Sequence, residues 1–96
     1  MNTHDLFDRL ASELAASGAT EETSGGVRTL LVDGTPFARH VGQSAEVYLP
    51  EGSPARVDAV NLEAVTESAN GWLAVSDRDV SVWPTLFQQA LTGIRS

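Results

Sequence analysis

The chain has 96 residues, 42% of them apolar, and a net charge of −7 from 13 acidic side chains against six arginines. One hydrophobic core fits that length, so residues 1–96 are expected to form a single domain. The lack of cysteine excludes disulfides and thiolate chemistry, and the lack of a ~20-residue apolar run or a basic-then-apolar leader points to a cytoplasmic chain with no membrane span. Arg9, Arg28, Arg39, Arg56, Arg78 and Arg95 stand singly, whereas a nucleic-acid binder concentrates positive charge on one face, so nucleic acid is not an expected partner.

The first helix is read from Leu6, Phe7, Leu10, Ala11 and Leu14, which share one stripe of a helical period. Thr3 or Asn2 caps it, Asp5 lies in the first turn where the helix dipole favours negative charge, and Gly18 suits the left-handed position past its end. His4 and Asp8 are four apart on this helix, but two ligands without a third read as exposed polar residues rather than a metal site. Residues 19–26 are polar and end in Ser24-Gly25-Gly26, which reads as a connection. A phosphate-binding glycine loop runs from strand into helix, and here the order is reversed.

Val27 to Val32 is β-branched and apolar, Asp33-Gly34 is a hairpin signal, and Thr35 to Val41 is extended again, with Pro36 at its start or on an edge. After Gly42-Gln43-Ser44, Ala45, Val47 and Leu49 alternate with Glu46 and Tyr48, the mark of a strand with one dry and one wet face. In the middle strand Phe37, Arg39 and Val41 share one face and Ala38 and His40 the other, so either Arg39 lies near the core or Phe37 near solvent. Ser53-Pro54 starts a short helix over Ala55 to Val60. Leu62 to Thr66 then pairs with Trp72 to Ser76 across Asn70-Gly71. Val80, Trp83, Phe87, Ala90, Leu91 and Ile94 form the apolar face of a closing helix, and Pro84, which lacks an amide, favours a start near Ser81.

Gly34 to Arg39 reads Gly-Thr-Pro-Phe-Ala-Arg, and Gly71-Trp72-Leu73-Ala74-Val75 precedes the closing amphipathic helix. With the order helix, meander, short helix, hairpin, helix, the chain from about Val27 onward resembles the MmcQ/YjbR-like domains and related small domains described as luciferase-like or of unknown function. That resemblance implies an α+β fold in which helices back an antiparallel sheet. Some members are described as predicted DNA-binding proteins with paired wings, a role that the acidity and missing lysine of this chain oppose.

The expected fold class is α+β: an antiparallel sheet of about five strands with N-terminal and C-terminal helices packed on one face. The other face is then where a partner meets the protein. Leu73 and Val75 point inward, leaving Trp72, Ala74 and Ser76 on the opposite side with Tyr48, Glu46 and either Arg28 or Arg39. The competing placement puts Trp72 in the core, under a loop or against the last helix. Aromatic rings flanked by arginine recur in binding hot spots, so the partner-binding candidates are Trp72, Tyr48, Arg39, Arg28 and His40.

No nucleophile elbow, phosphate-binding fingerprint or second histidine at ligand spacing accompanies His40, and neither an enzyme, a cofactor nor a metal is expected. The acidic pairs Glu21-Glu22 and Asp77 with Asp79 read as solvated charges beside turns. An acidic mimic of nucleic acid needs dense, one-sided carboxylates, which the arginines here interrupt. The expected function is a small non-catalytic binding module for a protein partner or a homodimer, and the alternative is a small-molecule or anion binder using the same aromatic and arginine face.

Overall fold

Three two-residue turns organise the first half of the sheet in the computed structural model, which describes residues 3–50, 52–68 and 71–95. Helix α1 (Thr3–Ala15) leads into β1 (Thr20–Ser24), β2 (Val27–Val32), β3 (Thr35–Val41) and β4 (Ser44–Tyr48). Helix α2 (Pro54–Val60), β5 (Val65–Glu67), β6 (Trp72–Val75), a 3₁₀ stretch (Asp77–Val82) and α3 (Trp83–Arg95) complete the chain. Every strand pairing is antiparallel, and the sheet order is β1-β2-β3-β4-β6-β5. The fold is α+β, as expected from the sequence, with six strands rather than about five. No described helix is long and apolar enough to cross a membrane.

The additional strand is β1, in the stretch expected to be a connection. All five of its residues are exposed, so it carries none of the apolar alternation by which strands are recognised. What makes it a strand is its turn: Ser24 pairs with Val27 across Gly25 and Gly26, whose φ values of 58° and 81° are the left-handed geometry of a tight hairpin. Asp33 and Gly34 repeat the device between β2 and β3, at φ 53° and 79°. Of the Asn70-Gly71 turn expected between β5 and β6, Asn70 lies outside the described residues.

A bulge in β3 settles the choice between Phe37 and Arg39. Leu30 pairs with Ala38 but Leu31 with Pro36, so β3 holds one extra residue, Phe37. Beyond that insertion the strand's alternation resets: Phe37 and Ala38 are both fully buried, and Arg39 turns to the opposite side. Neither of the alternatives read from the strand's alternation, Arg39 near the core or Phe37 near solvent, therefore holds: the bulge lets Phe37 be dry and Arg39 wet.

The helices α1 and α3 cover one face of the sheet. Leu6, Phe7, Leu10 and Leu14 of α1 and Trp83, Leu86, Phe87, Ala90 and Leu91 of α3 join Leu30, Val32, Ala38, Val47, Leu73 and Val75 of the strands in one core cluster. Each valine, leucine and phenylalanine among them contributes about 1.5–3 kcal/mol through removal of apolar surface from water. Trp83 stacks on Phe87 with ring centres 6.1 Å apart, and its indole N–H donates to the Ser76 carbonyl at 3.2 Å. Helix α3 starts at Trp83, within two residues of the expected start near Ser81, so Pro84 occupies its first turn, where no amide is needed. Asp79 within the preceding 3₁₀ stretch has a non-helical backbone (φ −135°, ψ 77°), which kinks that stretch between Asp77 and Val82.

At the other end, the Ser53 hydroxyl caps α2 by accepting from the Arg56 amide at 3.2 Å, with Pro54 at the first helical position. The Arg56 guanidinium then donates to the carbonyls of Leu49 (3.0 Å) and Gly71 (2.8 Å), fastening α2 to the ends of β4 and β6.

Candidate functional site

The second face of the sheet has no described helix over it, and the strand register shows what it carries. Glu22, Thr29, Arg39, Glu46, Ala74 and Thr66 form one row across all six strands, on the side opposite the core. Tyr48 and Trp72 face each other in the adjoining row. Leu73 and Val75, the inward residues of β6, are fully buried, while Trp72, Ala74, Tyr48 and Glu46 are half-buried.

Four of these side chains are locked together. Arg39 reaches across β4 to lay its guanidinium carbon 4.2 Å from the centre of the Trp72 ring. On the way its Nε donates to a Glu46 carboxylate oxygen, and the second Glu46 oxygen accepts from the Ser68 hydroxyl at 3.0 Å. Tyr48 meets Trp72 edge to face with ring centres 5.9 Å apart. A cation held between a carboxylate and an aromatic face loses little further rotamer freedom on binding. The cluster is therefore preorganised as well as accessible.

Three of the five residues singled out in the sequence, Trp72, Tyr48 and Arg39, thus meet in one patch. Arg28 and His40 do not join them, because the two are cross-strand partners on the helix-covered side. The correction follows from parity: His40 is one residue beyond Arg39, and whatever pairs with His40 shares its face. Glu46 and Ser68 are the residues of the patch that were not among those candidates. Glu46 was legible as Arg39's neighbour, since the Val41–Ser44 pairing across a two-residue turn places residues 39 and 46 opposite each other.

Beneath α1, Arg28 donates to both Glu21 oxygens at 2.8 and 2.9 Å, pairs with Asp8 of α1 and lies 4.8 Å from the centre of the Phe7 ring. Hydrogen bonding to Glu21 raises its pKa against the opposing pull of desolvation, with Asp8 adding to the rise, so the guanidinium stays charged. The groove of about 360 Å³ between α1 and the β1–β2 strands is lined by these same charges.

His40 is 1% exposed and sits between α1 and α3, its ring 5.4 Å from Phe7, 6.2 Å from Trp83 and 4.4 Å from His4. The Thr3 hydroxyl is 3.1 Å from its Nε2 and donates to Gln43 Oε1 at 3.0 Å. With the hydroxyl proton committed to Gln43, Nε2 carries the hydrogen and donates to Thr3. Burial first, then the charges of His4 and Arg28, lower the His40 pKa below the ordinary histidine value, while Asp8 pulls the other way. Of the two expected helix caps, Asn2 lies outside the described residues and Thr3 is the first helical residue and this histidine's buried partner.

Asp8 pairs with Arg28, and no group of three or more acidic or histidine side chains among the described residues is arranged to hold a metal. Asp79 accepts a hydrogen bond from the Ser81 hydroxyl in the 3₁₀ stretch. Comparison of the chain with known protein families, with curated proteins and with solved structures found no match in any of the three, so the patch is interpreted from its own residues.

Proposed function

We propose that this chain is a non-catalytic binding module that meets a protein, another chain or a second copy of itself, through the uncovered sheet face. The observation that carries this reading is the Arg39 guanidinium clamped between Glu46 and the Trp72 ring, with Tyr48 edge-on beside it. Arginine and tryptophan fixed in this way offer large area at small entropic cost, the combination that dominates protein interfaces. An anion or small-molecule role for the same face is opposed by Glu46, which already neutralises the cation such a ligand needs.

Kinship with the MmcQ/YjbR-like domains is part of the same proposal, supported by the order helix, meander, short helix, hairpin, helix. A DNA-binding role is opposed by the arginines, since Arg9, Arg28, Arg39 and Arg56 are each paired with a carboxylate. Catalysis by His40 is opposed by its burial and by the Thr3 proton pointing away from it.

Trp72→Ala and Tyr48→Ala are expected to weaken association about tenfold or more, with little change between ~0.05 and ~0.5 M salt. Titration calorimetry of the partner, or sedimentation for self-association, reads both effects. Association that survives both substitutions, or that collapses with salt, overturns the proposal.

A further inference from the structure

We infer that the occupant of the uncovered face is a second copy of this chain, laid face to face about a two-fold axis that runs along the β3–β4 seam. The inference rests on the binding role proposed above and adds the identity of the partner. Three features of the face point to it.

The first is charge. A chain of net charge −7 repels its own copies, and contact is favoured only where that charge is absent. Along the six-strand row the ionisable residues are Glu22 at the edge and Arg39 with Glu46 at the centre, and the central two cancel. Asp5 and Asp8 lie on α1, which covers the other face, while Glu63 and Asp79 border the row only at its β5 end, together with Arg78 beside Thr66 and Ser76. A basic partner would be drawn to those acids rather than to the near-neutral sheet.

The second is position. In the order β1-β2-β3-β4-β6-β5 the β3–β4 seam is the middle of the sheet, and Arg39 and Glu46 oppose each other across it. An isologous contact needs each group to find its complement on the other copy. Rotation about an axis along that seam carries β3 over β4 and preserves position along the strands. Arg39 of one copy then lies over Glu46 of the second, and Glu46 over Arg39. The same operation sets β6 over β2, so Ala74 meets Thr29 and Trp72, in the adjoining row, meets the next outward-facing residue of that strand, Leu31.

The third is area. Six strands at ~4.8 Å spacing, about five residues long at ~3.3 Å each, make a face of roughly 24 by 17 Å. Once side-chain relief is counted, two such faces reach the roughly 1,000 Å² at which specific interfaces begin. Sheets packed this way cross at about 30°, so correspondence is closest at the centre, where the charge pair sits.

The test is a charge exchange followed by sedimentation equilibrium. Arg39→Glu puts two acids at the seam and Glu46→Arg puts two bases there. Each variant alone is expected to raise the dimer dissociation constant about tenfold or more, and an equimolar mixture to recover a heterodimer. Circular dichroism checks that both remain folded. Thr29→Arg, which sets a like charge beside its cross-strand partner Arg39 while leaving Arg39, Glu46 and Trp72 themselves in place, gives the same dissociation if either seam variant fails to fold. A wild-type chain that stays monomeric at ~0.5 mM removes the second copy as occupant and leaves the binding role to be judged on another partner. A wild-type dimer untouched by Trp72→Ala, Arg39→Glu and Thr29→Arg lies on another surface and overturns both statements.

Discussion

Arg39 and His40 are adjacent in the chain and stand on opposite faces of one strand. His40 is sealed under α1, its Nε2–H given to Thr3 and its ring enclosed by Phe7 and Trp83. Arg39, with no helix over it, makes its own environment from Glu46 and Trp72. Arg28 and Arg39 repeat the contrast, each placed near an aromatic ring and paired with glutamate. Arg28 joins α1 to the sheet and so serves stability. Arg39 joins only residues of its own face and is left to serve contact.

The largest expected effect lies on the covered side. Phe7 is fully buried and touches Phe87 edge to face at 5.8 Å, His40 at 5.4 Å and the Arg28 guanidinium at 4.8 Å. Phe7→Ala is expected to cost about 3–5 kcal/mol in urea unfolding, since it removes the ring that α1 presses between sheet and α3. A cost under ~1 kcal/mol means that α1 is not seated as described.

A smaller effect separates the two arginines. Arg28→Ala is expected to cost about 1–2 kcal/mol of stability, because Glu21 and Asp8 lose a shared partner and Phe7 loses its cover. Arg39→Ala, which removes the partner of one carboxylate rather than two and does not join a helix to the sheet, should cost less than ~1 kcal/mol while weakening association. If the two substitutions change stability equally, the division of labour between the faces fails. If only Arg39→Ala weakens association, it is sharpened.

Much of this contrast was legible in the sequence wherever a local rule had only one solution. The apolar stripe from Leu6 to Leu14, the Asp33-Gly34 turn and the Ser53-Pro54 helix start appear in the structure as expected. Trp72, for which both an outward and a core placement were open, stands outward beside Tyr48. Where two solutions competed, local pattern did not decide. Val-Arg-Thr-Leu-Leu-Val is apolar on both parities, so it could not show which side Arg28 takes. The Phe37 bulge, which flips β3 relative to its own start, is set by how β2 and β3 pair and not by either strand alone. Gly25-Gly26 was a turn signal in plain view, obscured because a strand without apolar residues precedes it.

The smallest effect is a slope with pH, and it tests whether His40 is truly withdrawn from solvent. Its folded pKa lies below the ordinary value of 6.5, chiefly from burial, with His4 and Arg28 adding and Asp8 subtracting. Above 6.5 both folded and unfolded chains hold it neutral, and it contributes no pH dependence. As the pH falls past 6.5 the unfolded chain takes up a proton that the folded chain refuses, so stability declines. The decline ends once the folded pKa is passed and both states are protonated. The carboxylates impose a further dependence at lower pH, so wild type is compared with His40→Gln, whose amide can still donate to Thr3 but does not titrate. Between about pH 7.5 and 5.5 the wild type should lose more stability than the variant. Hydrogen exchange at the start of α1 should quicken over the same interval in the wild type only, since Thr3 is the helix's hold on that ring. Parallel profiles for the two proteins would mean that His40 exchanges its proton with water as a surface histidine does, and that the covered face is open at this corner.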